Sequence, residues 1–372
     1  MSAQAVAPQR RTEDSGKVDN VLEVEDLHVH FETKLGTVRA VNGVSFAVPR
    51  GKVLGVVGES GCGKSMTTFA VMQLVPAPGK VTQGTIRFRP RGGQEVDLLR
   101  YDRSGDEMRR IRGRHIGMIF QEPMTALNPC YTIGDQIMES ILLHQTRDKR
   151  VAQAQALEVM SRVGLPSPRR LLQAYPHQLS GGMRQRAMIA LALCCRPDLL
   201  LADEPTTALD VTTQAQILDV MRELQAERGM SILFVTHNLG VVAQMCDEVV
   251  VMYLGQVVER APVVELFDHP KHPYTQALLR SIPQLGRTRR GRLHVIQGGV
   301  PGAYAQVRGC PFHPRCPAAM PGLCDVHEPQ LRPATETAAV SCFLYHRPDG
   351  TPVPGPAVAA ASGIGNGEPD DR

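Results

Sequence analysis

The sequence is short of several things, and each shortage closes off a class of protein. Among its 372 residues, 42% of them hydrophobic, no run reaches the about 18 apolar residues that a membrane-crossing helix needs. The longest apolar run is "MIALALCC", so the chain is not expected to span a bilayer by itself. The first 20 residues hold no apolar core segment, which argues against a secretory signal there. A surplus of one charge is missing too. The 41 basic and 37 acidic residues leave +4, too mild a balance to argue for nucleic acid or a membrane surface. The local cluster Arg287, Arg289, Arg290 and Arg292 is read as a solvated linker. Internal repeats and sustained heptads are absent. Without a route to an oxidising compartment, the nine cysteines are read as thiols rather than disulfides. Five of them (Cys62, Cys130, Cys194, Cys195 and Cys246) sit among apolar or small residues and read as small core fillers.

What is present has a clear periodicity. "VLEVEDLHVHF" alternates at Leu22 and Val24, then shifts and alternates again at Leu27, Val29 and Phe31. Val44, Phe46 and Val48 do the same. Both stretches predict half-buried antiparallel strands. "KVLGVVG", "DLLLAD" and "SILFVTH" are short and wholly apolar, as buried parallel strands are. Between them lie helical stretches. "VAQAQALEVMSRVG" places Leu157, Met160 and Val163 on one side and stops at Gly164. "TTQAQILDVMRELQAERG" places Ile217, Met221 and Leu224 inside and stops at Gly229. Alternating strands and helices predict an α/β fold with a mainly parallel sheet and an added antiparallel β subdomain. The expected division is a polar, disordered 1–20, a catalytic domain at 21–268, a C-terminal region at 269–346, and a disordered Pro/Gly/Ala-rich 347–372.

"GESGCGKS", residues 58–65, follows an apolar strand and precedes the helical "KSMTTFAVMQL". It fits the phosphate-loop pattern G-x-x-x-x-G-K-[ST] in the strand–helix setting that pattern requires. Gly58, Gly61 and Gly63 lack a Cβ, so the backbone can curl and aim N–H groups at phosphate oxygens. The helix start near Lys64 adds positive potential. Lys64 is expected to neutralise the β- and γ-phosphates, and Ser65 to ligate Mg²⁺. Ser60, Cys62 and Met66 complete the expected nucleotide contacts of the loop. Further on, "LLLADEPTTALD" ends an apolar strand in Asp203, at the carboxyl edge of the sheet beside the loop. Asp203 is the expected holder of Mg²⁺, and Glu204 the general base that orients and deprotonates a water. Between these motifs, Ser180 of "LSGGMRQR" is placed to cap a helix, with Gly181 and Gly182 baring its first N–H groups as a second anion site.

With these three motifs in this order, the chain resembles the ATP-binding subunits of ABC transporters. "LSGGMRQR" looks like the family signature, with Met183 where many members carry glutamine. The resemblance implies an ABC-type P-loop ATPase fold in which the signature sits on a helical subdomain. It also implies a head-to-tail dimer that binds ATP at its interface, Ser180, Gly181 and Gly182 capping the γ-phosphate held by the opposite subunit. It assigns Gln121 of "MIFQEP" to sensing Mg²⁺ and the attacking water, and His237 to a γ-phosphate contact. Asp210 would act across the dimer, and Phe31 would stack on adenine.

Two C-terminal features narrow the resemblance. "HPKHPYTQALLRSIP", residues 269–283, reads on its own as a turn and an amphipathic helix with Leu278, Leu279 and Ile282. It resembles a segment of oligopeptide and dipeptide importer ATPases, as do "GESGCGKS" and "FQEPMTALNP". Four cysteines then follow at C-x5-C-x7-C-x17-C: Cys310, Cys316, Cys324 and Cys342. Four neighbouring thiolates repel unless a metal centre neutralises them. No tight C-x2-4-C zinc knuckle is present, and Pro311 and Pro317 suit a rigid loop beside an iron–sulfur cluster. The readings left open are a cluster, zinc, or metal-free thiols. Similar tails in peptide-importer ATPases carry a 4Fe–4S cluster, so the resemblance points to that. The expected function is ATP hydrolysis driving peptide import at the cytoplasmic face of the membrane. Expected partners are a second ATPase subunit (self or paralogue), two membrane permease subunits and an extracytoplasmic peptide-binding protein, with no nucleic acid. The alternatives are an importer of nickel or another small solute, a soluble ABC-type ATPase outside any transporter, and an iron–sulfur regulatory protein that only binds ATP.

Overall fold

The computed structural model describes residues 19–353 except 208, 283–295, 297, 303 and 306. The readings of residues 1–18, of the basic cluster Arg287–Arg292 and of residues 354–372 fall outside the described residues. Val53–Val57 forms the middle of an eight-stranded sheet because it is apolar at every position and can be covered on both faces. Across that sheet lie, in order, Arg332–Pro333, Ala339–Val340, Gln256–Pro262, Glu248–Tyr253, Val53–Val57, Ser231–Thr236, Leu199–Asp203 and Ile116–Ile119. The five strands from Glu248–Tyr253 to Ile116–Ile119 are parallel. The three beyond Tyr253 run antiparallel. The apolar runs "KVLGVVG", "DLLLAD" and "SILFVTH" are thus the parallel strands the sequence called for.

A second, four-stranded antiparallel sheet is built from Gly36–Pro49, Asn20–Thr33, Gly79–Phe88 and Val96–Asp97. The shift after Val24 is a real register break. The pairing slips between Val24 and Leu27 on one side of the strand and between Glu25 and His28 on the other, and Asp26 takes φ 47°, so the inward set resumes at Leu27 and Val29. The inner face of this sheet closes a core with Val56, Leu201 and Met252 of the main sheet.

Helices fill the other side. Ile133–His144, Lys149–Arg162 and Gly181–Leu193 pack on one another around Ile137, Ala156, Met160 and Ala187. One sequence reading needs correction here. In Lys149–Arg162 the buried face is Ala152, Ala156, Val159 and Met160, and Leu157 is only half-buried. Three large side chains suggested the stripe, but alanines mark the close approach to neighbouring helices. Val211–Arg228 buries Ile217, Met221 and Leu224 as expected, with Gly229 after it in the left-handed conformation.

The C-terminal segment does not stand apart from this body. Ala339–Val340 pairs with Gln256–Pro262, and Cys310, Phe312, Cys324 and Phe343 belong to the same apolar core as Tyr253, Leu266 and Tyr274. Residues 347–353, which composition assigned to disorder, form a turn closed by pairing of His346 with Pro352. No described helix is long and apolar enough to cross a membrane.

Candidate functional site

The parallel strands deliver the candidate residues to one edge. Val53–Val57 leads into the phosphate loop, and Lys64–Val71 leaves it as a helix. Glycine is required where the loop touches its surroundings. A Cβ on Gly58 would lie 2.2 Å from Met252 O, and one on Gly63, at φ 98°, 2.1 Å from Ala40 O. Lys64 is buried, and its Nζ donates to Gly58 O (2.8 Å) and Glu59 O (3.0 Å). Its ammonium therefore sits inside the curl of the loop. Ser60 and Gly61 are exposed, Cys62 is buried, and Ser65 and Met66 are half-buried.

Leu199–Asp203 runs two strands away, joined through Ser231–Thr236. It brings Asp203 against the helix start, where Ser65 Oγ donates to Asp203 Oδ1 at 3.0 Å. Asp203 is 1% exposed, and its Oδ2 has no hydrogen-bond partner. A buried carboxylate oxygen without a donor suits a cation ligand. Burial pushes the carboxyl up to about 6, with Glu204 adding to the rise and the Ser65 hydrogen bond opposing it.

Glu204 follows at φ 47°, a strained backbone position for a residue with a side chain. The turn aims its carboxylate at three donors. His237 Nδ1 lies 3.0 Å from Oε1, while Gln121 Nε2 (3.3 Å) and Thr207 Oγ1 (3.0 Å) donate to Oε2. Burial alone raises its pKa, but the hydrogen bonds from His237 and Thr207 and the charges of His237 and Lys64 leave it lowered. Glu204 is thus held as a carboxylate. Six sequence candidates converge here: Lys64, Ser65, Gln121, Asp203, Glu204 and His237. Thr207 joins them without having been singled out. Its signal was present, a hydroxyl three residues after the acid in the same turn.

The remaining candidates lie elsewhere. Ser180 caps Gly181–Leu193, its Oγ accepting from Met183 N at 3.3 Å. Gly181 has no atom within 4 Å of where a Cβ would sit, so the helix tip is open. Asp210 caps Val211–Arg228 through Thr213 N at 3.0 Å. No hydrogen bond among the described residues ties Ser180 or Asp210 to the phosphate loop. The Phe31 ring packs over Gly79 and beside Val75, close enough that a Cβ on Gly79 would meet it at 2.6 Å.

All nine cysteines are free, and Cys130, read from the sequence as a core filler, is exposed. Burial, with smaller contributions from the neighbouring tail thiols, raises Cys310 to about 11 and Cys342 to about 12. The four are therefore close enough to feel one another's charge. Among the described residues, however, no three His, Cys, Asp or Glu side chains are arranged to hold a metal ion. The metal expectation, cluster or zinc, is not met by a ready-made ion site.

Two contacts of the phosphate loop escaped the sequence altogether. Tyr274 Oη accepts the Glu59 N–H at 2.8 Å, and Arg315, between two of the tail cysteines, forms an ion pair with the Glu59 carboxylate at 2.7 Å. The partners are 215 and 256 residues apart, and no local pattern announces them.

Comparison with known proteins gives a matching picture. A family model described as "ABC transporter" matches residues 41–207. A second, "Oligopeptide/dipeptide transporter, C-terminal region", matches residues 258–324. A putative peptide import ATP-binding protein of Brucella abortus is 52% identical over 321 residues, 83% of this chain and 94% of that protein. The dipeptide transport ATP-binding protein DppD of Escherichia coli is 45% identical over 87% of this chain and 96% of its own. Among solved structures, the bacterial ABC transporter cassette MJ0796, determined as a dimer, superposes with a TM-score of 0.58 at 26% identity. It covers 65% of this chain and 98% of that one.

Proposed function

The chain belongs to the ABC transporter ATP-binding family, its function is ATP hydrolysis in the import of oligopeptides or dipeptides, and we propose that the edge cluster around Glu204 is where hydrolysis occurs. One observation carries this reading: a strained turn holds an ionised Glu204 beside His237, Gln121 and Thr207, next to the Ser65–Asp203 pair and the Lys64 ammonium.

In this reading Lys64 turns from the Gly58 and Glu59 carbonyls to the β- and γ-phosphates. A Mg²⁺ ion fits the residues present, since Asp203 Oδ2 is buried and lacks a donor. Ser65, Asp203 and Gln121 would hold it, and its chemistry is to screen phosphate charge. Glu204 takes a proton from water as the water oxygen bonds to the γ-phosphorus and the bond to the leaving ADP oxygen breaks. Among the described residues Glu204 Oε1 has His237 as its one partner, so its second lone pair can take the proton of that water while His237, Gln121 and Thr207 hold the carboxylate in place. The helix tip, with Ser180 and Gly181 exposed and Gly182 half-buried, is then the surface offered to the phosphate of a partner subunit, with Asp210 beside the shared face. Phe31 supports adenine stacking only after its ring turns from Gly79.

The domain reading we propose is a cassette over 21–268 and a C-terminal region over 269–346. For the tail we propose that Cys310, Cys316, Cys324 and Cys342 hold a 4Fe–4S cluster. Four free, mutually interacting thiols support the donor set. The lack of a single-ion arrangement counts against zinc more than against a cluster, whose thiolates attach to separate irons and stand farther apart. Such a centre would supply a redox group or a covalent staple. The partners follow from the importer role: two membrane subunits, an extracytoplasmic peptide-binding protein, and a second cassette.

The test is Glu204→Gln. With the family's membrane subunits, it should bind ATP normally, lose hydrolysis by about 100-fold or more, and accumulate a nucleotide-loaded closed pair on size-exclusion chromatography. Turnover at the wild-type rate would remove Glu204 from the mechanism.

A further inference from the structure

The phosphate loop carries a carboxylate of its own. Glu59 lies between Gly58 and Ser60, in a turn shaped to hold a polyanion, where a bare negative charge opposes the ligand. The fold answers that charge from the far end of the chain. Arg315 Nη1 donates to Glu59 Oε2 at 2.7 Å and Nη2 to Oε1 at 3.1 Å, a forked pair on both oxygens. Nη1 also reaches Tyr253 Oη at 3.3 Å, and the guanidinium carbon lies 5.8 Å from the centre of that ring. The Arg315 side chain is 4% exposed and that of Glu59 25%, so the pair is shielded from water and its charge balance is felt strongly nearby.

Arg315 is itself anchored. Its N–H donates to Phe312 O at 3.0 Å. Phe312 is 1% exposed, with ring centroids 5.3 Å from both Tyr253 and Tyr274. Tyr274 in turn holds the Glu59 N–H. The C-terminal segment therefore grips Glu59 at backbone and carboxylate together. Farther along, Tyr304 touches the tip of the first hairpin, where Thr33 Oγ1 donates to Tyr304 Oη at 3.4 Å.

We propose that Arg315 is a positioning residue for ATP: by neutralising Glu59 it makes the phosphate loop fit for a triphosphate, so docking of the cysteine-bearing segment is a condition of full nucleotide affinity. This deepens the ATPase reading and rests on it. If the pair served only to fasten the tail, losing either partner would weaken nucleotide binding alike. A charge role gives the two partners opposite signs.

ATP affinity is measured by calorimetry on the full chain, the wild type first. Wild type that binds no ATP would sink the ATPase reading itself. Arg315→Gln should weaken binding about tenfold, about 1.4 kcal/mol, whereas Glu59→Gln alone should tighten it about threefold. The double variant Glu59→Gln/Arg315→Gln should recover to within about threefold of wild type. Unchanged affinity in Arg315→Gln, or a double variant as weak as Arg315→Gln, overturns the proposal. If melting curves show that Arg315→Gln does not fold, Glu59→Gln decides alone, and unchanged or weaker binding there overturns it.

Discussion

At the scale of single residues, Lys64 holds its own loop together. Its Nζ caps the carbonyls of Gly58 and Glu59 and is buried. Lys64→Ala therefore removes the brace of the loop and, in its proposed role, the counter-charge for phosphate. ATP affinity should fall by about 100-fold, two charge-assisted contacts at about 1.5 kcal/mol each, in a fluorescence titration. An unchanged dissociation constant would contradict the phosphate-loop reading. Most of this site was legible in the sequence because its chemistry is carried by contiguous runs, "GESGCGKS" and "LLLADEPTTALD". The rest was not. Tyr274 and Arg315 matter through contacts made across more than 200 residues, and such contacts leave no spacing to read.

At the scale of elements, the strand–loop–helix unit around Gly63 shows what the backbone demands. At φ 98°, with Ala40 O where a Cβ would be, Gly63→Ala must move either the loop or the strand Gly36–Pro49. The expected result is a loss of about 2 kcal/mol or more in urea unfolding, together with weakened ATP binding. Stability within about 0.5 kcal/mol of wild type would show that the loop relaxes easily. Strand readings held at this scale because wholly apolar runs have one comfortable place, the middle of a covered parallel sheet. The helix Lys149–Arg162 was misjudged at Leu157, since size marked the stripe in sequence while packing closeness, carried by Ala152 and Ala156, marked it in the fold.

At the scale of the whole molecule, the tail shares the core of the cassette through Phe312 and Phe343, and Glu265 fastens it from outside. Glu265 accepts from Lys271 Nζ at 2.6 Å, Thr335 Oγ1 at 2.9 Å and Thr337 Oγ1 at 2.6 Å. Burial works against ionisation here, yet these bonds bring its pKa from the ordinary 4.5 down to about 2. A carboxyl depressed in the folded state contributes stability that is full above pH 4.5 and is lost as pH falls toward about 2. The urea midpoint of wild type should thus exceed that of Glu265→Gln near neutrality, and the gap should close across that acid range. A gap independent of pH would assign the difference to packing.

The outer margin of the large sheet has a consequence of its own. Its last strand, Arg332–Pro333, is two residues long and ends in a proline, which has no N–H to offer a newcomer. On that side a crowded neighbour finds almost no ladder to extend, so fibril growth by strand addition is blocked at that rim.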